Sequence, residues 1–255
     1  MNTLLSLFDN SGNWGSEFFR NRWDVYTFDL KQGQDILEYD SYGQILEDYP
    51  DVNGVLAAVP CDDFALCGAR WWPQKDANGS TDASVAMVYQ ALRFVDLFRP
   101  TDPEYYEDGG HFFWAFENPV GRIGQLVPEL GKPYYFDPFE FAGYLELSDS
   151  DHNELDRLRR KDGKDFCREE REFVIQCNAY KKKTGLWGEF NRNLKKKPVE
   201  PVRCNNFGSP FMSYGGKSEE TKRKRSVTPI GFSKAFCYAN LAHTIQEEPY
   251  QYELF

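Results

Sequence analysis

Two stretches carry residues whose types could do chemistry. In "GVLAAVPCDDF", residues 54 to 64, small apolar residues lead into Pro60 and Cys61, and two carboxylates follow at once. In "HFFWAFENP", residues 111 to 119, an aromatic run ends on Glu117, Asn118 and Pro119. A thiol in such a place is either a small hydrophobe finishing a strand or a nucleophile presented at its end. Asp62 and Asp63 bear on the choice, because carboxylates that face a thiol raise its pKa and work against the thiolate. A working Cys61 needs both of them turned away or offset by positive charge.

Both stretches read as strands, and the elements around them alternate at the spacing of βαβ units. "TLLSLF" is a first apolar strand, followed by the small-residue loop "DNSGNWG" and the helix-like "SEFFRNRW". "DVYTFD" is a second strand ending on Asp29. "GQDILEYD" is a short edge element, "SYGQILEDY" a helical turn or two, and "GVLAAVP" a buried strand of the parallel type. Residues 81 to 98 place Val85, Val88, Tyr89, Leu92, Val95 and Phe98 at helical spacing behind a Thr81 cap, which predicts a core helix. "KPYYFDPFEF" and "KKKTGLWGEF" predict further strands. Between them, "SDSDHNELDRLRRKDGKDFCREEREF" reads as surface helix, and "SVTPIGFSKAFCYANLAH", with Pro229 near its start, as a terminal helix.

The expected fold is one α/β domain, a mixed but mostly parallel sheet with helices on both faces. Such open sheets bind ligands beyond the carboxyl ends of their strands, which singles out Asp9 to Asn13, Asp29, Cys61 and Glu117. A small-residue loop with an acid about twenty residues later suggests an adenosine-containing cofactor whose ribose Asp29 accepts.

The order "LFDNSGN", Asp29, "DI" at 35 and 36, "PC" at 60 and 61, and "ENP" at 117 to 119 resembles the cytosine-5 DNA methyltransferase family. That family's signatures, in this order, are a Phe-x-Gly-x-Gly loop, an acid ending the second strand, Asp-Ile, Pro-Cys and Glu-Asn-Val. The resemblance is strong to residue 122 and looser to about residue 240. It implies a Rossmann-like methyltransferase fold that binds S-adenosylmethionine, with Phe8, Asn10, Ser11, Gly12 and Pro60 around the cofactor, Asp29 on its ribose and Asp35 at its adenine. Cys61 would attack carbon 6 of a flipped-out cytosine while Glu117 holds N3 and the amino edge. "YKKKTG" would supply a cation at the base from Lys181, Lys182 or Lys183, with Lys183 taken as the catalytic one. Substrate contacts would come from Asn118, Arg70, Trp71 and Arg122. Trp71 would stack on the substrate or pack in the body, and Arg122 would reach a phosphate or Glu117, or form a structural salt bridge.

The residue types suit that chemistry. Carbon 5 of a pyrimidine is a poor nucleophile, so a soft thiolate must first add across the ring, and a carboxyl group near N3 must share a proton to offset the developing charge. Four departures stand beside the matches. Asn10 replaces the first loop glycine, a place where Asn tolerates positive φ. "DDFA" follows Pro-Cys instead of Gln-x-Phe-Ser, Gly231 in "RSVTPIGFSKAF" stands at a glutamate position, and nothing resembles the final Gly-Asn motif. Two other readings therefore stay open: a tRNA methyltransferase with the same Cys61 and Glu117, and a methyltransferase-like protein that binds nucleic acid or a partner without catalysis.

Composition bounds the rest. With 255 residues, 41% of them hydrophobic and 16% aromatic, the chain can build a sizeable core. A net charge of −10 argues against a general nucleic-acid coat, yet residues 181 to 225 hold 13 Lys/Arg against 4 Glu. The remainder then carries 17 Lys/Arg against 36 Asp/Glu, or −19, so one basic surface on an acidic body is expected, able to neutralise phosphates or simply solvated. Six cysteines without C-x-x-C pairs and three scattered histidines predict neither a metal site nor disulfides. The absence of a long apolar run predicts a soluble, cytoplasmic protein with no membrane partner. The organisation expected is a cofactor-binding and catalytic core at 1–147 and a charged insertion with a basic segment at 148–225, acting as a reduced target recognition region. A terminal helix and acidic tail at 226–255 complete the core.

Overall fold

Alternation of apolar side chains along the central strands decides the architecture, because successive residues of a strand point to opposite faces. The structure, a computed structural model, describes residues 2–38, 42–49, 51–107, 111–161, 166–204, 210–213 and 224–241. Among these residues six strands form one sheet: β1 (Thr3–Leu7), β2 (Asp24–Phe28), β3 (Val52–Ala57), β4 (Phe113–Pro119), β5 (Tyr134–Phe136) and β6 (Thr184–Glu189). Their order is β2-β1-β3-β4-β6-β5. β1 pairs in parallel with β2 and β3, and β3 in parallel with β4, whereas β6 runs antiparallel to both β4 and β5. The chain leaves β1 toward β2 on one side and returns to β3 on the other. That reversal opens a crevice at the carboxyl ends of β1 and β3, the place where open α/β sheets bind ligands.

Helices cover both faces: α1 (Ser16–Arg20), α2 (Tyr42–Asp48), α3 (Trp72–Ala77), α4 (Ser80–Phe98), α5 (Pro103–Glu107), α6 (Ile123–Leu126), α7 (Asp149–Arg159), α8 (Arg168–Gln176) and α9 (Ile230–Leu241). On one face Leu5, Leu7, Val55, Ala57, Trp114 and Phe116 bury against Val88, Ala91, Phe94 and Val95 of α4. On the other, Leu4, Leu56, Phe113 and Ala115 bury against Trp14, Phe18 and the α9 residues Phe232 and Phe236. Phe136 stacks on Phe232 at 4.0 Å and 10°. Each fully buried ring of this kind contributes roughly 1.5–3 kcal/mol, so the two layers hold the strand ends that frame the crevice.

Several expected elements differ in detail. The described part of "GQDILEYD", with the residues before it, folds as 3₁₀ turns at Leu30–Gln32 and Ile36–Glu38. Asp29 and Asp35 explain this: their side chains accept the Lys31 and Leu37 N–H groups (both 2.9 Å), offering the backbone an alternative to a ladder. Thr81 does not cap α4, which starts at Ser80 after Gly79. Instead its hydroxyl donates to Asp76 (2.6 Å) and accepts from Arg122 (2.8 Å). The charged insertion is two helices, α7 and α8, around a small core of its own that includes Leu155, Leu158, Phe166 and Val174. Parts of the basic segment, residues 205–209 and 214–223, and the tail from residue 242 lie outside the described residues. Among those described, no helix is long and apolar enough to cross a membrane.

Candidate active site

β1 delivers the chain into the crevice through Phe8, whose φ of 60° is rare for an aromatic residue. Its N–H donates to the Phe28 carbonyl (2.6 Å), and the strain, of order 1–3 kcal/mol, sits at the ligand-facing end of the sheet. The loop that follows is wound around Asp9, only 3% exposed. Its carboxylate accepts from the Ser6 hydroxyl (3.0 Å), the Ser11 hydroxyl (2.8 Å) and the Trp14 N–H (3.1 Å). Gly12 takes φ 65° and faces open space. The left-handed positions are thus Phe8 and Gly12. Asn10 is not one of them, so the tolerance expected of Asn10 is not used. The Asn10 carbonyl accepts from Gln32 Nε2 (3.4 Å), and Asn13 Nδ2 donates to the Thr228 carbonyl (3.4 Å), tying the loop to the segments after β2 and before α9. Asp29 and Asp35 spend one oxygen each on their turns.

Cys61 lies in a tight turn after β3, its carbonyl accepting from the Phe64 (3.1 Å) and Ala65 (2.9 Å) N–H groups. This turn is joined to the end of β4 by backbone bonds. Ala65 bridges Gly121, the Leu66 N–H donates to Val120 (2.9 Å), and the Arg122 N–H donates to Phe64 (3.0 Å). Only glycine fits at 121, since a Cβ there would lie 1.8 Å from the Phe64 oxygen. The turn that carries the thiol is therefore stitched to the end of the strand that carries Glu117.

The two aspartates after Cys61 part ways. Asp63, 6% exposed, turns from the thiol toward the N-terminus of α4, where it accepts from Ser80 (2.9 Å) and Ser84 (2.6 Å) and pairs with Lys75 at 3.0 Å. Burial alone would push its pKa up, but the bonds from Ser84, Lys75 and Ser80 win and hold it below the usual range. Asp62 is exposed and keeps some influence on the thiol. Arg122 is structural: Nε donates to the Asp63 carbonyl (3.0 Å), the guanidinium grips Asp76 (2.9 and 2.7 Å), and its face covers Trp72 at 4.6 Å.

Burial pushes the Cys61 thiol up to about 11. Lys182 pulls it down, while Asp62, Glu117 and Cys67 push it further up. Glu117, 6% exposed, is likewise raised by burial, lowered by Lys182 and raised by Asp9. Strand register explains why Lys182 is the lysine involved. Pro119 pairs with Thr184, and the Val120 N–H donates to the Lys183 carbonyl (3.1 Å), so alternation sends Lys182 to the face of Glu117 and Lys183 to the opposite one. Lys182 Nζ also donates to the Arg225 carbonyl (2.9 Å). Lys183 lies over Tyr135 (5.2 Å) and Lys181 over Phe139 (6.0 Å).

No protein-family model matches the chain, and no curated protein matches it. What it does has to be argued from this geometry. Asn118, 1% exposed, donates Nδ2 to the Val59 carbonyl (2.9 Å) and leaves its buried Oδ1 unpartnered; the Thr228 hydroxyl, also 1% exposed, is unpartnered too. Such buried orphans at a crevice fit a polar ligand. Pro60, Arg70 and Trp71 are exposed, with Arg70 over the Trp71 ring (5.1 Å). Among the described residues, no group of three or more His, Cys, Asp or Glu is placed to hold a metal ion.

Sequence reasoning singled out Asp9 only as part of the strand-end loop, without a role of its own, and did not assign Tyr180 or Thr228. Asp9 had a signal in its spacing from Ser6 and Ser11. Tyr180, 2% exposed, has its phenol raised by burial and by the neighbouring Glu117, a relation that only the fold creates. Gly231 is a glycine for a packing reason: a Cβ would lie 2.4 Å from the Phe141 oxygen, and its N–H donates to Asn178 Oδ1 (2.9 Å).

Proposed function

We propose that this protein is a cytosine-5 methyltransferase acting on DNA, with S-adenosylmethionine as methyl donor and Cys61 as nucleophile. The observation that carries the reading is the closeness of Cys61, in the turn after β3, to Glu117 on the adjacent parallel strand β4, with the charge of Lys182 acting on both. S-adenosylmethionine supplies an electrophilic methyl group when bound. Phe8 and the Asp9-centred loop from Asn10 to Gly12 would hold it, with the second oxygen of Asp29 for its ribose and Asp35 for its adenine. The fit rests on the loop being preformed and on the unpartnered Thr228 and Asn118 oxygens beside it.

Toward a flipped-out cytosine each residue has a defined task. The Cys61 sulfur bonds to carbon 6, and the electrons of the 5,6 double bond move into the ring. Glu117, whose carboxyl burial pushes toward the protonated form, would share a proton with N3 and so offset the charge that develops there. Once carbon 5 carries the methyl group, loss of its proton would expel the thiolate and restore the ring. A thiol held near 11 is protonated at rest, so ionisation limits the addition, and Lys182 is the group that favours it. The resting thiol also favours one other reading, a nucleic-acid-binding protein without catalysis.

Trapping separates them. DNA containing 5-fluorocytosine, incubated with S-adenosylmethionine, should give a covalent protein–DNA adduct by intact mass, and Cys61→Ser should lower its yield by about 10³-fold or more. Methylation unchanged in that variant would sink the nucleophile assignment. Absence of both methylation and cofactor binding would leave the non-catalytic reading.

A further inference from the structure

On the sheet face opposite Lys182, the same register builds a second surface. Leu66, Val120 and Lys183 lie side by side, joined by the Leu66-to-Val120 (2.9 Å) and Val120-to-Lys183 (3.1 Å) backbone bonds, and Tyr135 follows diagonally across β6 and β5. At neighbouring-strand spacing, Leu66 and Lys183 stand about 10 Å apart. Two exposed aromatic rings belong to this part of the molecule, Tyr135 (48% exposed) beside Lys183 and Trp71 (47% exposed) at the far end of the 3₁₀ turn that begins at Leu66. Each ring carries a cation, Lys183 at 5.2 Å and Arg70 at 5.1 Å. Asp137 is the acid flanked by Lys181 and Lys183, which leaves the row net positive.

We infer that this row binds an unpaired nucleic-acid strand, with bases stacking on Trp71 and Tyr135 and phosphates meeting Arg70 and Lys183. A solvent-facing ring beside a cation offers a base its π-face and the backbone a counter-charge together. A duplex has its base faces occupied by their neighbours and cannot use such rings. The inference rests on the proposed function only for the base that reacts; it adds that the strand around that base is single.

The test is fluorescence anisotropy without cofactor, using a labelled oligonucleotide as single-stranded DNA, as single-stranded RNA and as the DNA duplex of the same sequence. Single strands bind more tightly than the duplex, and the DNA and RNA arms show which polymer is preferred. Trp71→Ala and Tyr135→Ala each weaken single-strand binding about tenfold or more, and Trp71→Phe restores most of it. Lys183→Gln and Arg70→Gln each reduce the salt slope by about 0.7. Circular dichroism melts confirm that the variants fold. Duplex binding as tight as single-strand binding, or alanine variants that bind like the unaltered chain, would overturn the inference. Single-strand binding without methyl transfer keeps it and overturns the reaction instead, whereas methylation of duplex with no preference for single strands overturns the inference alone.

Discussion

The crevice at the ends of β3 and β4 and the hairpin of α7 and α8 both gather ionisable side chains, and they treat them in opposite ways. In the hairpin Glu154, Glu170 and Glu172 each have a cation in contact with water: Arg157 pairs with Glu154 (2.6 Å) and Glu170 (2.7 Å), Lys161 with Glu170 (2.6 Å), and Arg168 with Glu172 (2.9 Å). Lys161 and then Arg157 hold the Glu170 carboxyl down at about 2. In the crevice a half-buried thiol and a buried carboxyl share the influence of Lys182, and both are pushed up. Dense charge at the surface is thus a sign of solvation, and pairs there contribute little. A few ionisable groups withheld from water, with pKa values moved toward a task, are the better sign of chemistry.

The sharpest way to break this contrast is Glu117→Gln. The amide cannot release a proton to N3, so single-turnover methyl transfer should fall about 10²–10⁴-fold. Calorimetry should show no loss of stability, since a buried carboxyl has been replaced by a neutral group. If the rate falls by less than threefold, a margin of about 0.6 kcal/mol, Glu117 belongs with the hairpin glutamates rather than with the reaction.

A smaller effect tests the thiol. Its folded pKa of about 11 lies above the ordinary 9.0, so alkylation of Cys61 by iodoacetamide should keep climbing through pH 9 toward 11 instead of levelling off near 9. The same sign makes the stability that this thiol confers complete below pH 9 and lost as the pH rises through that window. Lys182→Met should move the climb to higher pH, while Lys183→Met leaves it in place. Identical curves for the two lysine variants would contradict the register argument.

The smallest effect belongs to the hairpin. Arg157→Ala should leave the melting temperature within the scatter of replicates and methyl transfer unchanged, because Glu154 remains in contact with water and Glu170 keeps its pair with Lys161. A drop of several degrees would mean that the hairpin charges are structural in a way their exposure does not suggest.

Much of the frame was legible in the sequence because it depends on local period and on order. The buried runs at "TLLSL", "GVLA" and "FWAFENP" became β1, β3 and β4, and the spacing across residues 81 to 98 became α4. The residues after those strands converge at one crevice, as the strand-end rule requires. Parity was not legible. In "KKK" three identical side chains differ only in the face to which register assigns them, and register is set by pairing with β4, far away in sequence. The direction of Asp63 was hidden for a similar reason, since Ser80 and Ser84 meet it only after α3 has turned the chain back. Arg122 was undecided from sequence because Asp76, its partner, lies 46 positions away.

The stitching of Ala65 to Gly121, and of Leu66 through Val120 to Lys183, has a mechanical meaning as well. It works as a hinge-stop. The chain up to Leu66 is clamped to the sheet, so a displacement of the downstream turn must pivot beyond that residue. The turn that carries Arg70 and Trp71 is thus held at both ends, by this stitching before it and by the grip of Arg122 on Asp76 and Trp72 after it, and Cys61 keeps its place beside Glu117.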